Sequence, residues 1–510
     1  MCGILAVFSN TNHYFSEAKL DVHLRAQTWR GPDYTGVWVD SQRRALLGHN
    51  RLTILDASSG ANMPMSSACG RYALVYNGEI YNHEQLRVRF NLVCKTRSDS
   101  ETLLELYVKL GTECLSYLEG MFAFVIYDKI ENRFFAARDQ LGIKPLFYSA
   151  ANGQTTFGSE PAVLRDIVGG GVSDIAIAEW KAFRRPLAGR TFFDRVSELK
   201  PGHYYDSKRG EHPYWMPTEE DVGGDYEEFK EELVRSVTSH LINDFQTVSL
   251  LSGGLDSAVI LGLSDIEKSY TVGLEGNNEF EGATDSAGVL GVDLVKVQIT
   301  QDELEASWAE LLSSRREPLS VPNEGLIYTV CKSMNAEEKV VLTGEGADEL
   351  LFGYDRIFRW GSGLQSLSVA EFVNRYTYSS YDALSLDTLD YLADCMRDKK
   401  PIEFLEDFFI GVHLPGLLRR MDGASMCASK EARVPFVTTK LFNMLYREPI
   451  EKRHIDGLPK SYLRRLAKEL GLEGALSRAK VGFSATVGQV SKADEYTRFQ
   501  NFCLDNLGWR

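Results

Sequence analysis

Proline is scarce, at 15 of 510 residues, and cysteine scarcer still, at 8. The cysteines fall at positions 2, 69, 94, 114, 331, 395, 427 and 503 and form no Cys-x-x-Cys pair. That spacing excludes the common zinc pattern and favours reduced thiols over a disulfide framework, so the cytoplasm is the expected compartment. No apolar run approaches the ~18 residues of a membrane span, and the start Met1-Cys2-Gly3-Ile4 lacks the cationic, longer apolar character of a signal peptide. Positive charge is also short: 56 Lys+Arg stand against 71 Asp+Glu, a net charge of −15. This excludes a global basic footprint for nucleic acid, and neither nucleic acid nor membrane is expected as a partner. Internal repeats and low-complexity tracts are absent too.

What is present is ordinary globular material, 44% hydrophobic and 25% charged. At roughly 150 residues per domain the length suggests about two to four domains. The first two hundred residues carry short apolar stretches at 4–9, 45–47, 72–76, 121–127, 133–137 and 146–149, with turn-type residues such as Asn77-Gly78 between many of them. One helix is expected over 100–110, closed by Gly111. Strands in this number, with helices added, suggest a layered α+β domain on antiparallel sheets. After about residue 225 the rhythm changes. Tyr226, Phe229, Leu233, Val237 and Leu241 form an amphipathic helical stripe. Strands at 247–251, 269–274, 293–299 and 339–342 then alternate with helices at 257–263, 283–290, 302–312 and 325–334. Such alternation describes a parallel α/β sheet covered on both faces. The polar stretch between them divides the chain into 1–207, a linker at 208–224, and 225–510.

Met1 precedes a small residue, so its removal would expose Cys2 as the terminus. A terminal cysteine carries its own base, since a free α-amino group has a pKa of about 7.7–8.0 and takes the thiol proton directly or through water. Asn77-Gly78-Glu79-Ile80-Tyr81-Asn82 follows the 72–76 strand, where side-chain and backbone N–H donors suit an oxyanion hole, although a plain Asn-Gly hairpin fits the same residues.

Seven motifs then occur in order: Met1-Cys2-Gly3-Ile4, Arg30-Gly31-Pro32-Asp33, His49-Asn50-Arg51-Leu52, Asn77–Asn82, Ser98-Asp99-x-Glu101, Gly120–Phe124 and Arg138-Asp139-x-x-Gly142-Ile143-Lys144-Pro145-Leu146. The set resembles the class II glutamine amidotransferase domain, an Ntn hydrolase with an αββα sandwich. The resemblance implies that Cys2 attacks the side-chain amide of glutamine and that Asn77 and Gly78 form the oxyanion hole. It further implies that Arg51 holds the α-carboxylate, while Asp99 and the Glu79 region hold the α-amino group. An arginine fork suits a carboxylate and an acid suits an ammonium, though for those residues alone a surface salt bridge for Arg51 and a helix-capping role for Asp99 are the favoured readings.

Downstream, the strand at 247–251 runs into Ser252-Gly253-Gly254-Leu255-Asp256-Ser257 and a helix. Glycines expose N–H groups and the helix N-terminus favours an anion. No Gly-Lys-Ser/Thr follows, so this is not a Walker A loop. The string resembles the pyrophosphate loop of ATP-pyrophosphatases, which adenylate their substrate. Thr343-Gly344-Glu345-Gly346-Ala347-Asp348-Glu349 places three carboxylates after the 339–342 strand, where doubly wound sheets bind ligands. With Arg433-Val434-Pro435-Phe436, Lys460-Ser461-x-Leu463-Arg464 and Arg478-Ala479-Lys480-Val481-Gly482-Phe483, the resemblance extends to the synthetase domain of the asparagine synthetase family, with a helical C-terminal part. It implies that Ser252, Gly254, Asp256 and Ser257 hold the pyrophosphate end of ATP, with Leu250, Val272, Thr343 and Gly344 around the nucleotide. Asp256 and Asp348 would bind Mg²⁺, and Lys480 would neutralise departing pyrophosphate. Glu345 would serve the acyl-adenylate, as base for incoming ammonia.

The implied substrates are glutamine, ATP and a carboxylate acceptor, with aspartate first and a carboxylate on a sugar, peptide or secondary metabolite second. A glutaminase regulated by a nucleotide-binding domain is the reading from a different class. Three places depart from the family pattern: Val437-Thr438 where Leu-Asp is usual, Phe352 where a glycine is common, and Leu290-Gly291-Val292-Asp293-Leu294 without the family's histidine. The sequence leaves homo-oligomerisation open.

Overall fold

The computed structural model describes residues 2–9, 17–151, 153–218, 223–377, 379–455, 457–478 and 492–509. Two antiparallel six-stranded sheets build the N-terminal half. The first runs Ser197–Glu198, Phe147–Ala151, Gln154–Gly158, Cys2–Ser9, Ala45–Arg51, Tyr34–Val39. The second runs Gly210–Pro213, His203–Asp206, Arg133–Arg138, Gly120–Asp128, Tyr72–Ile80, Met65–Ser66. Alternation along the strands puts Ile4, Ala6, Phe8 and Leu47 of the first sheet against Val75, Ala123, Val125 and Tyr127 of the second, one buried layer between the sheets. Helices Glu17–Arg25 and Pro161–Val168 lie on the first sheet, and helix Asp99–Leu110 covers the second. This is the expected αββα layering.

Three details differ from the sequence expectation. Asn77 and Gly78 do not turn the chain: they lie inside strand Tyr72–Ile80, opposite Ala123 and Phe122. Long-range pairing with Gly120–Asp128 overrides the local turn preference of Asn-Gly. The helix expected at residue 100 begins one residue earlier, so Asp99 sits in its first turn rather than before it, with Ser98 as N-cap. Finally, the expected 208–224 linker begins with strand Gly210–Pro213, which pairs with His203–Asp206 and extends the second sheet.

The C-terminal half is a parallel five-stranded sheet in the order Asp293–Ile299, Lys268–Leu274, Gln246–Leu250, Glu338–Leu342, Glu431–Arg433. The edge strand Glu431–Arg433 was not evident from the sequence because only three residues form it. Helix Tyr226–Ser239 opens this half with a capping box, Asp225 accepting from the Glu228 N–H and Glu228 from the Asp225 N–H. The strand order reverses between Gln246–Leu250 and Glu338–Leu342, the crevice where doubly wound sheets bind ligands. Beyond residue 354 the chain is mainly helical, including a π-helical turn, Phe409–His413, that leads into helix Leu414–Cys427. Apolar clusters run across both halves, joining Leu5, Trp180 and Phe192 to Val272, Leu312 and Leu319. Among the described residues no helix is long and apolar enough to cross a membrane.

The helix Tyr226–Ser239 provides a test of this packing. Leu233 is fully buried and its neighbour Val234 is 38% exposed. Leu233→Ala should destabilise by roughly 2–5 kcal/mol and Val234→Ala by no more than about 0.5 kcal/mol, read by denaturant unfolding; equal effects would contradict the placement of that face.

Candidate functional site: two chemistries on facing domains

Pairing of the first two long strands sets Cys2 directly opposite Arg51. The Cys2 N–H donates to Asn77 Oδ1 at 2.8 Å. This nitrogen is the atom that would become the terminal amine on removal of Met1. With its oxygen so used, Asn77 turns Nδ2 into a buried space where no described group accepts from it. A donor without an acceptor in a dry interior is costly unless something else supplies the acceptor. Gly78 follows, and a Cβ there would lie 2.1 Å from the Met121 carbonyl, so only glycine lets the two strands close at this point. Burial pushes the Cys2 thiol above its ordinary pKa, so its activation calls for a base beside it.

Cys2, Arg51, Gly78, Glu79 and Asp99 line one pocket, walled by Leu52, Ile54, Ala61 and Met63. Asp99 Oδ2 accepts from the Tyr76 hydroxyl at 2.7 Å and the Ile80 N–H at 2.9 Å. Arg51 is held by the loop beyond its strand: Nη1 donates to Asn62 Oδ1 at 2.7 Å and the Ser58 carbonyl at 3.2 Å, and Nη2 to the Leu55 and Asp56 carbonyls. Glu79 is fully buried, and burial together with repulsion from Asp99 raises its pKa well above the carboxylate range. Its Oε2 accepts at 3.3 Å from Arg433 of the other half, a partner 354 residues away.

The second site forms at the strand ends flanking the sheet's reversal. Within the loop after Gln246–Leu250, the Ser252 N–H donates to Ser257 Oγ at 3.0 Å and the Gly254 N–H to Ser252 Oγ at 3.2 Å. Helix Leu255–Gly262 starts there with Gly254 as N-cap. Leu250 and Val272 are buried on the two neighbouring strands. From the adjacent loop, a Cβ on Gly344 would meet the Ser257 nitrogen at 2.7 Å, so Thr343-Gly344 packs directly on the Ser252–Ser257 loop.

Asp256 and Asp348 converge on one cation. Lys460 Nζ lies 2.6 and 2.7 Å from the two oxygens of Asp256 and 2.6 Å from Asp348 Oδ1. Lys460 has a φ of +63°, an uncommon conformation for a side-chain-bearing residue. Two carboxylates that share a cation fit the protein's part in a Mg²⁺ site, in which phosphate oxygens and water supply the other ligands. Among the described residues no group of three or more His, Cys, Asp or Glu side chains is placed to hold a metal ion, so Asp256 and Asp348 would be the protein's only two ligands there. Glu345 Oε2 accepts from Arg420 Nη2 at 2.6 Å. Glu349, beneath it, is pushed up to about 8 by burial and by the charges of Asp348 and Glu345, and accepts from the Tyr354 hydroxyl at 2.7 Å. Lys480 lies outside the described residues. Arg478, two positions before it, pairs with Asp285 and donates to the Gly282 carbonyl at 2.8 Å, beside the Ser252–Ser257 loop.

The structure therefore gathers the expected residues into two groups, Cys2, Arg51, Asn77, Gly78, Glu79 and Asp99 in one and Ser252–Ser257, Thr343–Glu345 and Asp348 in the other. Sequence reasoning missed Lys460, Arg420 and Glu349 as members. The Lys460-Ser461-x-Leu463-Arg464 motif was the available signal for the first; for Arg420 no local signal exists.

Residues 1–215 match the family model described as a glutamine amidotransferase domain, and residues 228–505 the model described as asparagine synthase. Glutamine-hydrolyzing asparagine synthetase 1 of Bacillus subtilis (strain 168) is 27% identical across 96% of this chain and 87% of its own length. Asparagine synthetase B of Escherichia coli (strain K12) is 28% identical across 96% and 83%. Amidase chry2 of Gibberella zeae is 30% identical across 70% of this chain and 60% of its own. The solved allosteric regulatory enzyme of purine biosynthesis is 17% identical, with a TM-score of 0.32 over 58% of this chain and 65% of that one. The asparagine synthase match alone takes in more than half of the chain, which belongs to the asparagine synthase family and carries a glutamine amidotransferase domain ahead of it.

Proposed function

We propose that this chain is a ligase that takes ammonia from glutamine and amidates a carboxylate through an acyl-adenylate, with aspartate as the first acceptor. The observation that carries the reading is the convergence of Asp256 and Asp348 on Lys460 beside the phosphate loop, in a chain whose other half presents Cys2 against Asn77.

At the first site the terminal amine of Cys2 takes the thiol proton, and Sγ attacks the glutamine amide carbon. Asn77 Nδ2 and the Gly78 N–H donate to the oxygen that gains charge, which is where preorganised donors contribute most to rate. The proton passes to the departing nitrogen, ammonia leaves, and water then hydrolyses the thioester to glutamate. Asp99 and Arg51 orient the amino-acid end.

At the second site the Ser252–Ser257 loop cradles the β- and γ-phosphates. Asp256 and Asp348 would hold Mg²⁺, which when bound neutralises phosphate charge. Lys460 adds a cation at the same place. An acceptor oxygen attacks the α-phosphorus and pyrophosphate departs. Ammonia displaces AMP from the acyl carbon, with Glu345, aligned by Arg420, positioned for the proton that the nitrogen loses. ATP and glutamine are thus the co-substrates.

The second acceptor reading is another carboxylate; of the departures from the family pattern, Val437 lies nearest Glu345, packed where a Cβ on Gly346 would meet it at 2.4 Å. At the Phe352 departure the ring is buried, stacked on Phe358 at 4.0 Å and capped by Arg453.

Two experiments test the proposal. Cys2→Ala should abolish glutamate release while leaving pyrophosphate release supported by added ammonium; loss of both would show that Cys2 has another role. A panel of carboxylates including aspartate, scored by pyrophosphate release with ATP and Mg²⁺, should give a response to at least one acid. Release of ADP and phosphate instead would refute adenylation.

A further inference from the structure

Helix Leu414–Cys427 belongs to the C-terminal half, yet two of its side chains reach into the wall behind Cys2. Asp422 Oδ2 accepts from Arg30 Nη2 at 2.9 Å. Arg419 grips both oxygens of Glu160, Nη1 to Oε1 at 3.2 Å and Nη2 to Oε2 at 2.7 Å. Arg30 in turn donates Nη1 to Glu160 Oε1 at 2.7 Å and Nε to the carbonyl of Cys2 at 3.1 Å. The nucleophile's backbone is therefore held at both polar ends, its nitrogen by Asn77 and its carbonyl by Arg30.

We propose that Arg419 is a positioning residue for Cys2, acting across the domain boundary through Glu160 and Arg30. The inference rests on the proposed function only in taking Cys2 as the nucleophile. Glu160 Oε1 is shared by the two arginines, so the orientation of its carboxylate decides where Arg30 sits. Arg30 and Glu160 have side chains 0% and 2% exposed, so no solvent can replace a lost partner. Arg419 is itself fixed on the far side: Nη2 also donates to Glu317 Oε1 at 2.8 Å, and Arg315 holds that same oxygen at 2.7 Å. The planar guanidinium reaches both oxygens of Glu160 and Glu317 together, a geometry a lysine ammonium cannot reproduce. The next residue, Arg420, holds Glu345 in the other site. One stretch of helix thereby references both reacting centres, and the glutaminase half lacks part of its support when that helix is displaced.

A shift at Cys2 moves the attacking sulfur relative to the bound amide and leaves the pocket residues on other strands in place. It should therefore lower kcat and spare KM. Arg419→Lys, which keeps the charge, should reduce glutaminase kcat about tenfold with KM for glutamine within threefold, and Arg419→Met should reduce it further. Alkylation of Cys2 by iodoacetamide, followed by peptide mass spectrometry, should change in rate in the same variants. If Arg419→Met fails to fold, the lysine variant decides. A lower melting temperature with kcat and alkylation rate both within twofold of the unmodified chain would overturn the proposal, as would a rise in KM alone. Should the unmodified chain release no glutamate, the functional reading fails, and the alkylation rates alone then decide this inference.

Discussion

The two halves meet through charges that water does not reach. Arg30 bonds Asp422 across 392 residues of sequence, and Glu160, Arg419, Glu317 and Arg315 continue the alternation of sign, while Arg433 bonds Glu79, whose charged form burial disfavours, across 354. Each buried ion loses its hydration, a cost of several kcal/mol that only close, correctly aimed partners offset. An apolar seam tolerates small slips; a seam of buried ion pairs, one of them the bidentate Arg419–Glu160 pair, does not. The relative placement of the halves is thereby specified to within hydrogen-bond tolerance, and both reacting centres lie one or two contacts from it. Lys144 shows how complete the burial is: it is 1% exposed, its charged form is disfavoured by burial, and its nearest carboxylate is Asp422 at 3.8 Å.

Within that frame each site depends on one close backbone approach. Gly78 lets strand Tyr72–Ile80 lie against Met121, so that Asn77 faces Cys2. Gly344 lets the loop after Glu338–Leu342 lie on the phosphate loop, so that Asp348 and Asp256 face the same lysine. Cys2 and Asn77 lie on paired sheets of the first half, whereas Asp256 and Asp348 sit in the first turns of short helices that follow strands of the second.

Elements with strong local periodicity were legible in the sequence. The stripe Tyr226–Leu241 became helix Tyr226–Ser239, with Leu241 just beyond its end, and the strand expected at 293–299 lies at Asp293–Ile299. The motif-bearing residues Cys2 and Asn77 lie together, and Asp256 and Asp348 meet at Lys460. What local patterns hid were pairings between distant segments. Asn77-Gly78 reads as a turn until Gly120–Asp128 pairs with it. Strand Gly210–Pro213 looks like linker because its sequence is polar and short, and its pairing with His203–Asp206 is formed only in the fold. Lys460 lies 204 residues from Asp256, and Arg420 lies 75 from Glu345. A single charged residue on a helix carries no mark of the partner it will meet, so these contacts are visible only in the folded chain.

We propose, as an extension of the function above, that the two sites work as one, with ammonia passing between them inside the protein. The direct measurement uses glutamine labelled with nitrogen-15 at its side-chain amide, ATP, Mg²⁺ and aspartate, in an excess of unlabelled ammonium. Internal passage predicts a product amide labelled far beyond the labelled fraction of the bulk ammonium pool. A product whose label matches that bulk fraction would contradict the account.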